Sequence, residues 1–411
     1  MEGSNGLGRP FEKYAWLENI HWDKLVENPD RSRDNVSADV FPVTSVRGYK
    51  LYREAMKKVH PLGWGAAMYN LTPSPGYIWR AILEEKPYPV KAVFTQGSDP
   101  LLVFAQARKF CEAYLSDKLD LHVAVEQFMT PTAQLADYVL PSADWMERPH
   151  VKTMWNLIDH YSLGEQCVQP LFERRDDYQL WRDLGNRLGQ QGYWPDTLEQ
   201  MYDKFLEPSG MKYAEFMGKE EHWHLPAPVY RKWEQQGFAT FSGKAELAPS
   251  IFEKLGVDPL PRYEEPPRSP LSTPKLAEEY PLILISGSRV KSFTHSCYRQ
   301  IDGLRKAHPD PVVEVHPRTA SRLGFKEGDW VYIETPEGKV KQKARLTAGI
   351  DPRVVNADGY WWYPERPGKA PRLFDIWESN INAIVPDEPG FCDYAGDNYF
   401  RALLCKVYKA E

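Results

Sequence analysis

The sequence is poor in the features that would build a metal centre from local motifs. Its five cysteines (Cys111, Cys167, Cys297, Cys392, Cys405) are odd in number and never spaced as CxxC, which excludes a local zinc or cluster motif and leaves reduced or buried thiols as the expectation. It has no run of about 18 apolar residues, so no membrane span is predicted. The opening twenty residues lack a basic end followed by an apolar stretch, so no secretory leader is predicted either. A cytoplasmic chain is the expectation, with export alongside a signal-bearing partner as the alternative. Net positive charge is also missing. With 51 Lys and Arg against 57 Asp and Glu, the formal charge of -6 provides no field to hold a polyanion, and nucleic acid is not an expected partner. Internal repeats and low-complexity tracts are absent.

Aromatic residues, by contrast, are plentiful. Fourteen Trp and 23 Tyr suit long interfaces or a large flat ligand, and an aromatic-rich core accounts for them equally well. With 411 residues, the chain has material for two or three domains.

Residues 1–60 are charged and Pro-interrupted and read as an irregular lead-in left from a preceding domain. Over 61–257 an α/β pattern develops. Tyr77–Glu85 has helical spacing and is stopped by Pro87 and Pro89. Lys91–Thr95 reads as a strand running into Gly97-Ser98-Asp99-Pro100 and then a helix over Leu101–Leu115. Leu121–Val125 is a second strand, Thr130–Ala136 suits a helix start, and Tyr138–Leu140 is a third strand. This alternation predicts an open, mostly parallel, doubly wound sheet, whose ligands sit beyond the carboxyl ends of the strands, where the Gly97 and Glu126 loops lie. A further helix is predicted over Tyr178–Leu188, and the alternation in Phe238–Leu247 predicts a hairpin.

Residues 258–281 hold seven prolines and read as an interdomain linker. From 282 to 411 the pattern turns to strands at Leu282–Ser286, Val312–Val315, Trp330–Glu334, Val340–Leu346 and Val354–Asn356, and a compact β-barrel is their natural product.

Six blocks then appear in fixed order: Lys86–Leu102 (KPYPVKAVFTQGSDPLL), Val125–Glu147 (VEQFMTPTAQLADYVLPSADWME), FSGKAEL, Leu284–Ser296 (LISGSRVKSFTHS), Val313–Val340 and Ser379–Asn382 (SNIN). Together they resemble the second half of the bis-pterin molybdenum and tungsten oxidoreductases, the dimethyl sulfoxide reductase superfamily. Formate dehydrogenases, polysulfide and thiosulfate reductases and the non-redox acetylene hydratase belong to it. The later blocks, with GYWWYPE and ALLCKVYK, resemble the acetylene hydratase and thiosulfate/polysulfide reductase branch more than the formate branch. The resemblance implies a six-stranded, double-psi type barrel and a molybdenum- or tungsten-bis(molybdopterin guanine dinucleotide) cofactor. Such proteins begin with a cysteine group for an iron–sulfur cluster and later place a Cys, Ser, Asp or selenocysteine on the metal. Nothing here corresponds to either. The expectation is therefore a molybdopterin-dependent oxidoreductase acting on a small molecule as part of a complex, with a 4Fe–4S cluster and the metal ligand on a partner chain carrying the N-terminal half. A hydratase and a non-catalytic relict are the alternatives.

The resemblance also suggests roles for individual residues. Backbone N–H groups at Gly97 and Ser98 can approach a pyrophosphate closely, with Asp99 completing the turn, though an ordinary turn would look the same. Glu126 stands where an acidic residue can accept two N–H groups from guanine. Thr130 and Thr132 can meet phosphate or simply cap a helix. In the barrel half, Ser288, Arg289, Thr294, His295 and Ser296 form a polar loop after an apolar strand, with Arg289 set against pyrophosphate charge and Lys291 and Arg299 as secondary candidates. Asn380 and Asn382 carry amides suited to a pterin edge, or to a turn, and Arg401 is a further candidate at the same end. No metal ligand is expected on this chain. Trp155, with Met154, matches a lid of bulky apolar residues over a substrate, against the plainer reading of a core tryptophan. His150, Lys152 and His160 are titratable neighbours.

Overall fold

The structure, a computed structural model, describes residues 34–57, 72–152, 162–206, 212–217, 230–231, 233–288, 290–388 and 390–411. Its strands are β1 (Ala92–Gln96), β2 (Leu121–Glu126), β3 (Tyr138–Pro141), β4 (His150–Lys152), β5 (Ser162–Gly164), β6 (Leu282–Ser288), β7 (Val312–Val315), β8 (Trp330–Thr335), β9 (Gly338–Leu346), β10 (Val354–Asp358) and β11 (Leu403–Lys409). Among the described residues no helix is long and apolar enough to cross a membrane.

The chain divides into two compact units, one of residues 1–73 and 140–261, the other of 74–139 and 262–411. In the first, Ser45 caps the helix Val46–Met56 by accepting from Gly48 N at 3.1 Å. That helix's Ala55 packs with Val43, Ile251 and Leu255. The antiparallel hairpin β4–β5 pairs His150 with Gly164. The expected hairpin at Phe238–Leu247 forms no strands. Phe238 N closes a turn on Gly243 O at 2.9 Å, and the Glu246 carboxylate accepts from Ser242 N and Ser250 N, spending the segment's polar groups locally.

The second unit holds the sheet β1-β2-β3 and the barrel. β1 and β2 are parallel, with Ala92 opposite Leu121 and Gln96 opposite Val125. The expected single helix over 101–115 is two, Pro100–Val103 and Ala107–Tyr114, broken where Gln106 turns left-handed and its N–H bonds Val385 O at 3.2 Å. The break lets Leu101, Leu102, Phe110 and Ala113 all reach one core. Thr130–Ala136 gives only a short 3-10 turn, Ala133–Leu135, because the Thr132 side chain turns inward toward Asp99 instead of capping.

The barrel closes in the order β10-β6-β11-β8-β9-β7, with β10–β6 and β7–β9 parallel and the other pairs antiparallel. Its strands alternate as barrel strands must: in β8, Val331, Ile333 and Thr335 are buried between half-exposed neighbours. Leu403–Lys409 supplies the sixth strand. The mixed α/β architecture with a parallel sheet and a closed six-stranded barrel is the one the sequence predicts.

The two units cut across the linear division at 258–281. Residues 74–139 group with the barrel because they share a core with its long excursion after β10: Trp79, Leu101, Leu102 and Phe110 pack with Trp362, Leu373, Phe374 and Ile376. Asp387 adds a polar joint, accepting from Trp79 Nε1 at 2.9 Å, Arg80 Nη1 at 3.3 Å and Asn398 Nδ2 at 2.7 Å. Nor is all of the Pro-rich stretch a free spacer. Arg268 within it pairs with Glu337 and with Glu388.

Candidate cofactor site

The carboxyl end of the parallel sheet carries the first set of candidates. Gly97 follows β1 with φ +54°, a conformation that strains any side chain, and nothing lies within 4 Å of where a Cβ would stand. Its N–H bonds Val125 O at 3.1 Å, which fixes the turn to the neighbouring strand. Ser98 is half-buried beside it.

Asp99 points the other way. It is buried; one carboxylate oxygen accepts from the Thr132 hydroxyl and the other, Oδ2, has no partner. Thr132 Oγ1 in turn accepts from Leu101 N at 3.2 Å. Burial pushes the Asp99 carboxyl up to about 7, against the Thr132 hydrogen bonds that pull it down. Thr132 and Asp99 thus bracket the loops after β1 and β2 together from below. Thr130 accepts from Ala133 N at 3.2 Å, and Glu126 ends β2 half-buried.

The second set lies on the segment after β6. Ser288 is the last residue of β6, opposite Asp358 of β10. Arg289 and Trp155 lie outside the described residues, as do Met154 and His160. Thr294 and His295 are exposed, and Ser296 is buried with its carbonyl accepting from Trp362 Nε1 at 2.8 Å. His295 is left-handed at φ 51° and packs on Tyr360, ring centres 5.1 Å apart.

The two sets meet through Trp362, whose Nε1 bonds Ser296 O at 2.8 Å and whose ring packs with Leu101 and Leu102 beyond the Gly97 turn; Cys297 stands exposed on the same loop. Its thiol pKa is raised first by burial of its surroundings and then by the nearby carboxylates of Glu126 and Asp99. The loop after β6 therefore lies close to the segment that follows the Gly97 turn, within one unit.

Asn380 and Asn382 stand behind this meeting point. Both are buried; Asn380 Nδ2 donates to Leu101 O at 2.9 Å and Asn382 Nδ2 to Leu102 O at 2.7 Å. Their amides hold the short helix that follows the Gly97 turn, and that helix carries the turn. A cavity of about 660 Å³ opens near the same end of the barrel, lined by Ser286, Tyr360, Tyr399, Arg401, Glu264 and Glu265.

Sequence reasoning gave too little weight to Arg299, which is among the largest fully buried side chains and only 1% exposed. Its neighbours Trp361 and Trp362 signal the site through the GYWWYPE block, but nothing in a sequence says that an arginine four residues beyond His295 turns inward. Among the described residues no group of three or more His, Cys, Asp or Glu is arranged to hold a metal ion. What the residues do offer is an open glycine turn, hydroxyls, an acidic side chain at Glu126, and a buried cation at Arg299. That set fits a ligand with a diphosphate and an amide-bearing ring.

Comparison with known proteins gives the same reading. Residues 282–403 match the model for the molydopterin dinucleotide binding domain and residues 44–187 that for molybdopterin oxidoreductase. The chain is 36% identical to acetylene hydratase of Syntrophotalea acetylenica over 414 aligned residues, all of this chain and 56% of that protein. Its identity to the thiosulfate reductase molybdopterin-containing subunit of Salmonella typhimurium is 30%, over 66% of this chain and 38% of that one. The solved acetylene hydratase from Pelobacter acetylenicus superposes with a TM-score of 0.86 at 35% identity, covering 93% of this chain and 53% of that structure. The chain spans about half the length of the curated relatives it matches. With the dinucleotide-binding model lying on the closed barrel and the oxidoreductase model reaching across the parallel sheet, the chain belongs to the molybdopterin oxidoreductases of the dimethyl sulfoxide reductase superfamily.

Proposed function

We propose that this chain grips a molybdenum or tungsten bis(pterin guanine dinucleotide) in an enzyme acting on a small molecule. A partner polypeptide supplies the 4Fe–4S cluster and the metal ligand. The observation that carries the reading is the approach of the 294–297 loop to the segment after the Gly97 turn, one from the barrel side and one from the sheet, through the Ser296–Trp362 hydrogen bond and the packing of Trp362 with Leu101 and Leu102. In this reading, the Gly97 N–H is taken by Val125 O and the Ser98 backbone N–H is the one presented to the pyrophosphate, on a turn whose open space admits a phosphate close to the chain. Glu126 accepts from the guanine edge. Ser288, Arg289, Thr294, His295 and Ser296 enclose the ligand from the barrel side, while Thr130, Thr132, Asp99, Asn380 and Asn382 keep the sheet-side loops in place. The cofactor, when bound, supplies a metal able to exchange electrons or oxygen or to activate water. Trp155 is kept as the candidate that shields the substrate.

A second reading concerns the reaction class. The likeness to acetylene hydratase runs the whole length of this chain, which favours addition of water to an unsaturated substrate without net electron transfer over redox turnover. The test is to purify the chain with its partner, measure molybdenum, tungsten and iron by mass spectrometry, and supply acetylene with and without an electron acceptor. Metal and pterin in the complex support cofactor binding, and metal-free, pterin-free material refutes it. Acetylene consumption without an acceptor selects hydration.

A further inference from the structure

Arg299 is a buried guanidinium without a carboxylate partner. Nη1 donates to His295 O at 2.6 Å and Nη2 to Gly359 O at 3.3 Å, and Nε is buried with no acceptor. Its flat faces rest on Phe293 at 4.7 Å and Trp361 at 4.9 Å. Among the described residues no carboxylate forms an ion pair with it. Asp358, the acid it feels most, accepts from Val312 N at 2.9 Å and lies 2.7 Å from His308 Nε2. Asp99 acts on it from the sheet side and the Cys297 thiol from its own loop, and Arg305, across Trp361, repels it. Arg305 differs in carrying its own carboxylate, Glu365 at 3.2 Å.

Two carbonyl dipoles and two aromatic faces are weak compensation for a cation removed from water. Burial accordingly pulls the Arg299 pKa down to about 9. Meanwhile the guanidinium braces a strained segment: His295 and Tyr298 are both left-handed without being glycine, at φ 51° and 71°. The strain and the unbalanced charge lie on one loop, which Ser296 joins through Trp362 to the core beside Leu101 and Leu102, just beyond the Gly97 turn.

Building on the dinucleotide-gripping role, we infer that Arg299 is a positioning residue for the dinucleotide. Its two carbonyl bonds hold the 294–298 loop in a ligand-receiving shape, and its unpaired charge sets a positive potential that the ligand's pyrophosphate completes. The positive charge is required, and the loop shape alone does not suffice.

GDP, which carries guanine and pyrophosphate, serves as the probe, with affinity measured by calorimetry on the full chain from about pH 6 to pH 9. Arg299→Met should weaken binding about 10- to 100-fold, the scale of losing one charge-assisted contact. Arg299→Lys separates charge from shape, because a buried ammonium titrates well below its solution value. It should stay within about 3-fold of the parent at the acid end and approach the Met variant at the alkaline end. Asp99 also titrates in this range, so the ratio of Lys variant to parent is the quantity read. Arg305→Met, made beside the same tryptophan, should change affinity by less than about 2-fold, as expected for a cation already neutralised. The inference falls if the Met variant binds like the parent, if the Lys-to-parent ratio is flat across pH, or if Arg305→Met is as damaging. Absence of GDP binding by the parent chain would count against the dinucleotide-gripping role itself.

Discussion

The sheet-side and barrel-side loops of the second unit handle buried charge in opposite ways. On the sheet side, Asp99 is drawn inward and held by a threonine hydroxyl, so its cost is met by hydrogen bonds and by partial protonation. On the barrel side, Arg299 cannot shed its proton near neutrality and is left with carbonyls and aromatic faces. The acid, with one oxygen still unpartnered, can settle its burial by holding a proton, whereas the base awaits an anion.

The largest expected effect strikes what both sides depend on. Replacing Asn380 and Asn382 together by Ala leaves Leu101 O and Leu102 O buried without donors, at about 1–3 kcal/mol for each lost bond. Urea unfolding followed by tryptophan fluorescence should show a loss of roughly 2–6 kcal/mol. A loss within experimental scatter would show that the amides do not brace the turn.

Asp99→Asn probes the sheet side alone. Its carboxyl is raised from an ordinary 3.8 to about 7 by burial, so the folded state holds this proton more tightly than the unfolded chain. The associated stability is fully present below about pH 4 and is lost as pH rises through about 7. Asparagine removes that dependence. The variant should therefore unfold at higher urea than the parent above pH 8, by on the order of 4 kcal/mol, with little difference at pH 4. A parent and variant that run parallel across pH would place the Asp99 carboxylate in a solvated setting instead.

A smaller effect sharpens the closeness of the two sides. Glu126→Gln removes one of the carboxylates that raise the Cys297 thiol pKa, so alkylation of Cys297 near pH 7.5 should speed up by about 2-fold. An unchanged rate would separate the loops.

Strands were the most legible part of the fold. Alternation placed Val312–Val315 at the observed bounds and four other barrel strands within about two residues, because a barrel strand has one wet face and one dry face and the sequence records both; the sixth, Leu403–Lys409, was not read as a strand. The break at Gln106 was not legible, since it is imposed by Val385, far along the chain. The same holds for Phe238–Leu247, where alternation accompanies a turn whose polar groups close on themselves. At the site, the Gly97 turn could be read from its strand–glycine–helix setting. Asn380 and Asn382 could be singled out as amides but not assigned to Leu101 and Leu102. Arg299 could be named only as a secondary candidate, because burial of a charge is decided by tertiary packing.

The central claim is that one ligand is held by both loops at once. Hydrogen exchange measured by mass spectrometry, on the chain with and without GDP, tests it most directly. The account predicts that peptides spanning 96–104 and 290–300 gain protection together, with the same dependence on nucleotide concentration. Protection confined to one of the two peptides at saturating GDP would contradict it.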